Sequence, residues 1–139
     1  MLFLLLLLNL VISKPIVSAY FGFFDDTYNI TMNDSKLVPW KMFDRLIISF
    51  AKLNDYGNIT NDHEEDNFKI HHIVSLYRKA RPNGDIFISV YGETTSQYEY
   101  AFAHLGKFSE SVLKYIEKYN ITGFDLDWEQ HLLMVIQLN

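Results

Sequence analysis

The chain contains no cysteine. Disulfide cross-links are therefore excluded, and the domain must be held by its core alone. It also lacks a basic stripe: 12 basic residues stand against 17 acidic ones, for a formal net charge of −5. That balance argues against a nucleic-acid partner. No apolar run reaches the roughly 20 residues that a transmembrane helix needs. Beyond the N-terminal leader there is no internal repeat and no low-complexity segment. What is plentiful is aromatic. Phe, Trp and Tyr make up 16% of the residues, which suits either a generous core or a cleft that stacks sugar rings, and composition does not choose between them. A length of 139 residues predicts one domain with room for a core.

The chain starts Met1-Leu2-Phe3-Leu4, stays in leucine to Leu8, and continues Asn9-Leu10-Val11-Ile12-Ser13-Lys14. A short apolar run followed by small residues predicts a secretory signal peptide over residues 1–13, with cleavage after Ser13 or as late as Ser18. The only positive charge before the run is the terminal amine, so an uncleaved anchor is the alternative. The expected location is extracellular or in the secretory-pathway lumen, with no membrane attachment after cleavage. Four acceptor sequons for N-glycosylation begin at Asn29, Asn33, Asn58 and Asn120. The last runs into the strand described below, where a glycan is expected to crowd the fold and the site to stay unused.

Past the leader, strands and helices alternate. Residues 16–22 read as a buried strand, 23–36 as a polar loop, and 37–43 as a short helix with Pro39 in its first turn. Residues 45–53 are almost continuously apolar, the pattern of a parallel strand covered on both faces. A loop over 54–66, turning at Tyr56-Gly57-Asn58, leads into a helix from Asn67 whose stripe is Phe68, Ile73, Leu76, Tyr77 and Ala80. Pro82-Asn83-Gly84 stops it. His63-Glu64-Glu65-Asp66 with His71-His72 has some look of a metal cluster. Its spacing matches no ligand template, however, and acids at a helix start favour the helix dipole, so no metal is expected there. Residues 86–92 read as the third strand, 93–105 as a long polar and aromatic loop, and 107–119 as a helix with Phe108, Val112, Leu113 and Ile116 on one face. The fourth strand begins at Thr122. Right-handed crossovers make such a succession a parallel α/β sheet.

That fourth strand, Thr122-Gly123-Phe124-Asp125-Leu126-Asp127-Trp128-Glu129, organises the rest. Alternation puts Asp125, Asp127 and Glu129 on one face and Phe124, Leu126 and Trp128 on the other. Residues two apart on a strand lie roughly 6 to 7 Å apart, too close for three carboxylates to ionise cheaply. At least one is expected to hold its proton. Such a row marks chemistry more often than packing, although an edge strand with a solvated acidic face is the plainer reading.

The same residues resemble the Asp-x-x-Asp-x-Asp-x-Glu pattern of glycoside hydrolase family 18, the chitinases and their relatives. Asp125, Asp127 and Glu129 match its last three acids, and Thr122 stands where the first usually is. Three further segments are similar to family strands: Tyr20 in the first, Ser49-Phe50-Ala51 in the second, and Ser89-Val90-Tyr91-Gly92 in the third, where Tyr91 replaces a glycine. That substitution is expected either to narrow the cleft or to re-aim the strand. The resemblance implies a partial (β/α)8 TIM barrel, its strands 1 to 4 with the intervening helices, over residues 14–129. A divergent apolar tail follows at 130–139. Such barrels typically run to about 250 residues, so about half of one is expected here.

The resemblance also implies a chemistry. In this family the N-acetyl oxygen of the substrate, not a second carboxylate, attacks the anomeric carbon. Glu129 would be the general acid and then the base, Asp127 would orient the acetamido group, and Asp125 would share a proton with Asp127. Tyr20 and Ser89 would steady Asp125, and Phe50 would floor the cleft. The implied substrate is β-1,4-linked N-acetylglucosamine, as chitin, an oligosaccharide of it, or an N-glycan core, with no metal or organic cofactor. With half a barrel the chain is expected to be inactive alone. A secreted, non-catalytic sugar-binding relative and a fragment without function are the alternatives.

Overall fold

The computed structural model describes residues 15–22 and 34–128. The leader, the loop with the Asn29 and Asn33 sequons, Glu129 and the tail lie outside the described residues. The elements are β1 (Ser18–Gly22), two 3-10 turns (Asp34–Leu37 and Trp40–Met42), β2 (Arg45–Leu53), β3 (Ile59–Thr60), α1 (Asp66–Ala80), β4 (Asp85–Tyr91), α2 (Thr95–Ala103), α3 (Leu105–Tyr119) and β5 (Gly123–Asp127). The strands lie in the order β1-β2-β4-β5, all parallel, and β3 adds an antiparallel flap to the end of β2. This is the first half of a (β/α)8 barrel, four parallel strands with helices on one face. Among the described residues no helix is long and apolar enough to cross a membrane.

One face of the sheet carries Leu46, Ile48, Ile86, Ile88 and Val90, each nearly inaccessible to water, packed against Ile70, Ile73, Val74 and Tyr77 of α1 and Phe108, Val112, Tyr115 and Tyr119 of α3. Each fully buried aliphatic side chain contributes about 1.5–3 kcal/mol, which makes this face the main source of stability. The opposite face bears Ile47, Ser49, Ser89 and the acids. Alternation on β2 is reset by a register shift between Ser49 and Ala51, so Ala51 and Leu53 continue the helix-side row that Leu46 and Ile48 begin.

The sequence-based reading differs from the structure at several points. The 93–105 segment is not a loop but mostly α2, started by a capping box in which Gln97 Oε1 accepts the Thr94 N–H at 3.2 Å. The 54–66 loop contains β3, and the 37–43 helix is only 3-10 turns. Phe68 is 70% exposed. At about 100° per residue it lies about 180° around α1 from the buried Tyr77, so Ile70 and Val74, not Phe68, belong to the core stripe. Leu113 likewise lies about 140° from Phe108 on α3 and is exposed, while Tyr115 and Tyr119 take the buried face. Asn120 is exposed at the left-handed end of α3, at the far end of β5 from Asp127, so a glycan there would not crowd the acidic end of the strand.

The residues considered for a metal have other work. Asp66 accepts the His63 N–H at 3.0 Å, Lys69 pairs with Glu65 at 3.0 Å and Asp66 at 3.4 Å, and His71 packs on Tyr119.

Candidate active site

Parallel pairing aligns the carboxyl ends of the strands, and the register fixes which side chains share a layer. Gly22, Ser49, Ser89 and Asp125 are successive partners across β1, β2, β4 and β5. One step further along, Tyr91 pairs with Asp127. The side chain of Asp125 is the meeting point. Its Oδ2 accepts a hydrogen bond from Ser89 Oγ at 2.8 Å and another from the Tyr20 hydroxyl at 3.1 Å.

The second of these bonds shows the curvature of the sheet. β1 and β5 are its two ends, three strand spacings apart, which in a flat sheet would separate them by about 14 Å. Side chains stand roughly perpendicular to a sheet, so on a flat one a tyrosine and an aspartate could not meet across that span. The sheet is therefore curled, as in a barrel, and its concave face brings the first and last strands together over Asp125. Desolvation first, then the hydrogen bond to Asp125 and the charges of Asp125 and Asp127, push the Tyr20 phenol above its ordinary value. Tyr20 is 61% exposed, so water screens much of that effect.

Phe50 and Tyr91 meet edge to face, ring centroids 5.6 Å apart, beside this layer. The Tyr91 hydroxyl donates to Asp62 Oδ2 at 2.7 Å, beyond the β3 flap. Tyr91 thus leans across the end of β2 and away from Asp127, and β4 keeps its register on β5: the glycine replacement builds a side wall. Lys52 Nζ closes the wall, 2.6 Å from Glu93 and 3.5 Å from Asp62. Burial, followed by the bond to Asp62, pushes the Tyr91 phenol up to about 12.

Thr122 does not face the acids. Its Oγ1 accepts the Ile86 N–H at 2.8 Å and donates to the Ile86 carbonyl at 2.9 Å, while its own N–H bonds that carbonyl at 2.7 Å. The position where the resemblance places an acid here sets the register of β5 on β4. Leu126 packs against the core on the helix side of β5, and Trp128 stacks on Tyr98 with centroids 5.2 Å apart and planes 17° from parallel. Trp128 therefore does not occupy the acidic side.

The described sequence-based site residues Tyr20, Ser89 and Asp125 are joined directly, Asp127 lies one layer on, and Phe50 flanks them through Tyr91. Glu129 lies outside the described residues. Reading the sequence missed the Lys52, Asp62 and Glu93 side wall and the part played by Tyr98. The Thr94-x-x-Gln97 capping box was the available signal for α2, which carries Tyr98. Among the described residues no cluster of His, Cys, Asp and Glu is placed to hold a metal ion.

In (β/α)8 barrels the active site sits at the C-terminal face of the strands, which here is where Asp125 and Asp127 lie on β5. The family model described as "Glycosyl hydrolases family 18" matches residues 18–132, and the chain belongs to that family. No curated protein matches it. Among solved structures it is similar to the class V chitinase of Nicotiana tobaccum (19% identity, TM-score 0.69, 84% of this chain and 33% of that one). It is also similar to the Group IV chitinase of Ostrinia furnacalis (23% identity, TM-score 0.69, 83% of this chain and 33% of that one). A third is the immunomodulatory active chitinase of Trichuris suis (19% identity, TM-score 0.64, 84% of this chain and 33% of that one). The chain spans about a third of the length of these structures. A mutant of the tobacco chitinase was solved in complex with NAG4.

Proposed function

We propose that this chain supplies the acidic half of a chitinase-type active site, acting on β-1,4-linked N-acetylglucosamine by substrate-assisted, retaining hydrolysis. The observation that carries the reading is the convergence of Tyr20 and Ser89 on one oxygen of Asp125, Ser89 from the neighbouring strand β4 and Tyr20 from β1 at the far end of the curled sheet. Two donors on one oxygen fix the carboxyl group in orientation. The family membership and the NAG4 complex of the tobacco chitinase support the choice of substrate.

In this reading Asp125 holds Asp127, and Asp127 orients the acetamido group of the bound sugar. The acetamido oxygen attacks the anomeric carbon, the glycosidic bond breaks, and Glu129 passes its proton to the departing oxygen. Water then opens the oxazolinium intermediate as Glu129 takes back a proton, with retention at the anomeric carbon. The residues named supply each proton and each charge in this sequence. Phe50 floors the cleft for the sugar, and Tyr91, edge to face against it, stands as its side wall.

Since the chain spans about a third of the structures it matches, we further propose that the isolated 139-residue chain is inactive on its own. The leader and the sequons support a secreted or lumenal location, which N-terminal sequencing of protein from a secreting cell checks. The functional test is Glu129→Gln in a polypeptide that carries this half of the barrel together with the other half. Loss of chitotetraose hydrolysis by a factor of about 100 or more is expected from removal of the general acid and base. Unchanged turnover refutes the assignment. Calorimetric binding of chitotetraose with no product from the complete barrel supports the sugar-binding alternative instead.

A further inference from the structure

Tyr98 lies outside the carboxylate cluster, in the segment that reads from sequence as a loop, yet it is firmly held at the mouth of the sheet. It is 2% exposed. Its hydroxyl accepts the Gly92 N–H at 2.6 Å and donates to the Asp127 carbonyl at 2.5 Å. The last paired residues of β4 and β5 are Tyr91 and Asp127, so Gly92 is the first residue beyond the ladder. The phenol oxygen thus sits between the two strand ends and connects them where direct strand-to-strand bonding has stopped. On the other side, the Tyr98 ring stacks on Trp128.

The helix that carries Tyr98 is itself fixed. Gln97, 5% exposed, accepts the Thr94 N–H and donates to Asp55 Oδ1 at 2.8 Å, tying the start of α2 to the turn between β2 and β3. A Cβ at Gly92 would lie 2.7 Å from the Tyr98 ring, so only glycine lets the ring approach this closely.

We propose that Tyr98 is a positioning residue: it clamps the backbone at Asp127 and the ring of Trp128, and so sets the aim of the Asp127 carboxyl group. The inference rests on the functional reading above. Two contacts give the clamp its direction. The hydroxyl holds the carbonyl of Asp127, and the stack holds Trp128 on the helix side. By strand alternation Asp127, between Leu126 and Trp128 on the helix side, is thereby directed to the concave face. A side chain held by packing and two hydrogen bonds is the kind of support that an acid needs to remain within a fraction of an ångström of productive geometry.

The test is Tyr98→Phe in the full chain labelled with 5-fluorotryptophan. The sequence has two tryptophans, so two fluorine resonances are expected, and the one lost in Trp128→Phe is that of Trp128. In Tyr98→Phe the Trp128 resonance should shift or broaden while that of Trp40 stays in place, at temperatures well below unfolding. Chitotetraose binding by calorimetry should weaken about fivefold, on the order of one lost hydrogen bond. A lowered melting temperature with both resonances and the affinity unchanged would show a purely structural role and overturn the proposal. If Tyr98→Phe does not fold, Gly92→Ala displaces the same ring with the hydroxyl retained, and the same Trp128 shift is expected; its absence overturns the proposal equally. If the unmodified chain binds no chitotetraose, the affinity comparison is made in the complete barrel used for Glu129→Gln, where absence of binding by the unmodified barrel fails the functional reading and the fluorine spectra alone decide whether Tyr98 positions Trp128.

Discussion

Thr122→Val removes a hydroxyl and keeps the shape of the side chain. The structure gives the expected cost. Oγ1 makes two bonds to the backbone of Ile86, as acceptor at 2.8 Å and donor at 2.9 Å, and the Ile86 side chain is fully buried in the core. The Ile86 carbonyl keeps the Thr122 N–H at 2.7 Å, so losing the donor leaves it satisfied. The Ile86 N–H loses the partner described here. A net hydrogen bond contributes about 0.5–1.5 kcal/mol, and an unsatisfied buried donor costs about 1–3 kcal/mol. Thr122 itself is exposed, which lets water replace part of the loss. The expected destabilisation is therefore about 1–2 kcal/mol, a sizeable share of the roughly 5–15 kcal/mol of a typical domain. Equilibrium unfolding in urea measures it as a shift of midpoint at constant slope. Hydrogen exchange at the Ile86 amide should quicken in Thr122→Val and stay slow in Thr122→Ser, which keeps the hydroxyl. A Thr122→Val cost below about 0.3 kcal/mol, with exchange unchanged, would refute the claim that this residue sets the register of β5.

Two further predictions follow from the same geometry. Ser89→Ala and Tyr20→Phe each remove one donor to Asp125 Oδ2, but Ser89 is fully buried and Tyr20 is 61% exposed. Bonds to charged groups are worth about 1.5–3 kcal/mol when buried, so unfolding should show a Ser89→Ala cost in that range and a Tyr20→Phe cost below about 1 kcal/mol. Tyr91 has its phenol pushed up to about 12 in the folded chain, against 10.0 for the free group. The folded state therefore binds the proton more tightly, and the stabilisation present below pH 10.0 is lost as pH rises toward about 12. After a discount for partial exposure, the unmodified chain should lose about 1–2 kcal/mol relative to Tyr91→Phe over that window, measured by denaturant midpoints. Equal losses in both proteins would contradict the Tyr91–Asp62 bond.

Much of this molecule was legible in the sequence because its strongest signals are periodic. The nearly continuous apolar run at 45–53 and the row of acids at Asp125 and Asp127 each appear in the strand they implied. Reading failed where periodicity was weak. α2 holds polar and aromatic residues on every side, and only its capping box betrayed a helix. Phe68 and Leu113 read as core because large apolar residues at roughly helical spacing look alike, although their angles around the helix place them outside it. The joining of Tyr20 to Asp125, 105 residues apart, depends on sheet curvature, which no local pattern encodes. The direction in which Tyr91 leans was open for the same reason: its partner, Asp62, lies on a flap two strands away.

The central claim is that the acids of β5 face a cleft that binds an amino sugar. Titration of the chain with chitotetraose, followed through the 13C carboxyl resonances of its aspartates, tests it most directly. The account expects Asp125 and Asp127 to shift together and saturably, while Asp85, at the opposite end of the neighbouring strand, stays fixed. Shifts at Asp85 with none at Asp125 and Asp127, or no saturable shift at any aspartate, would contradict it.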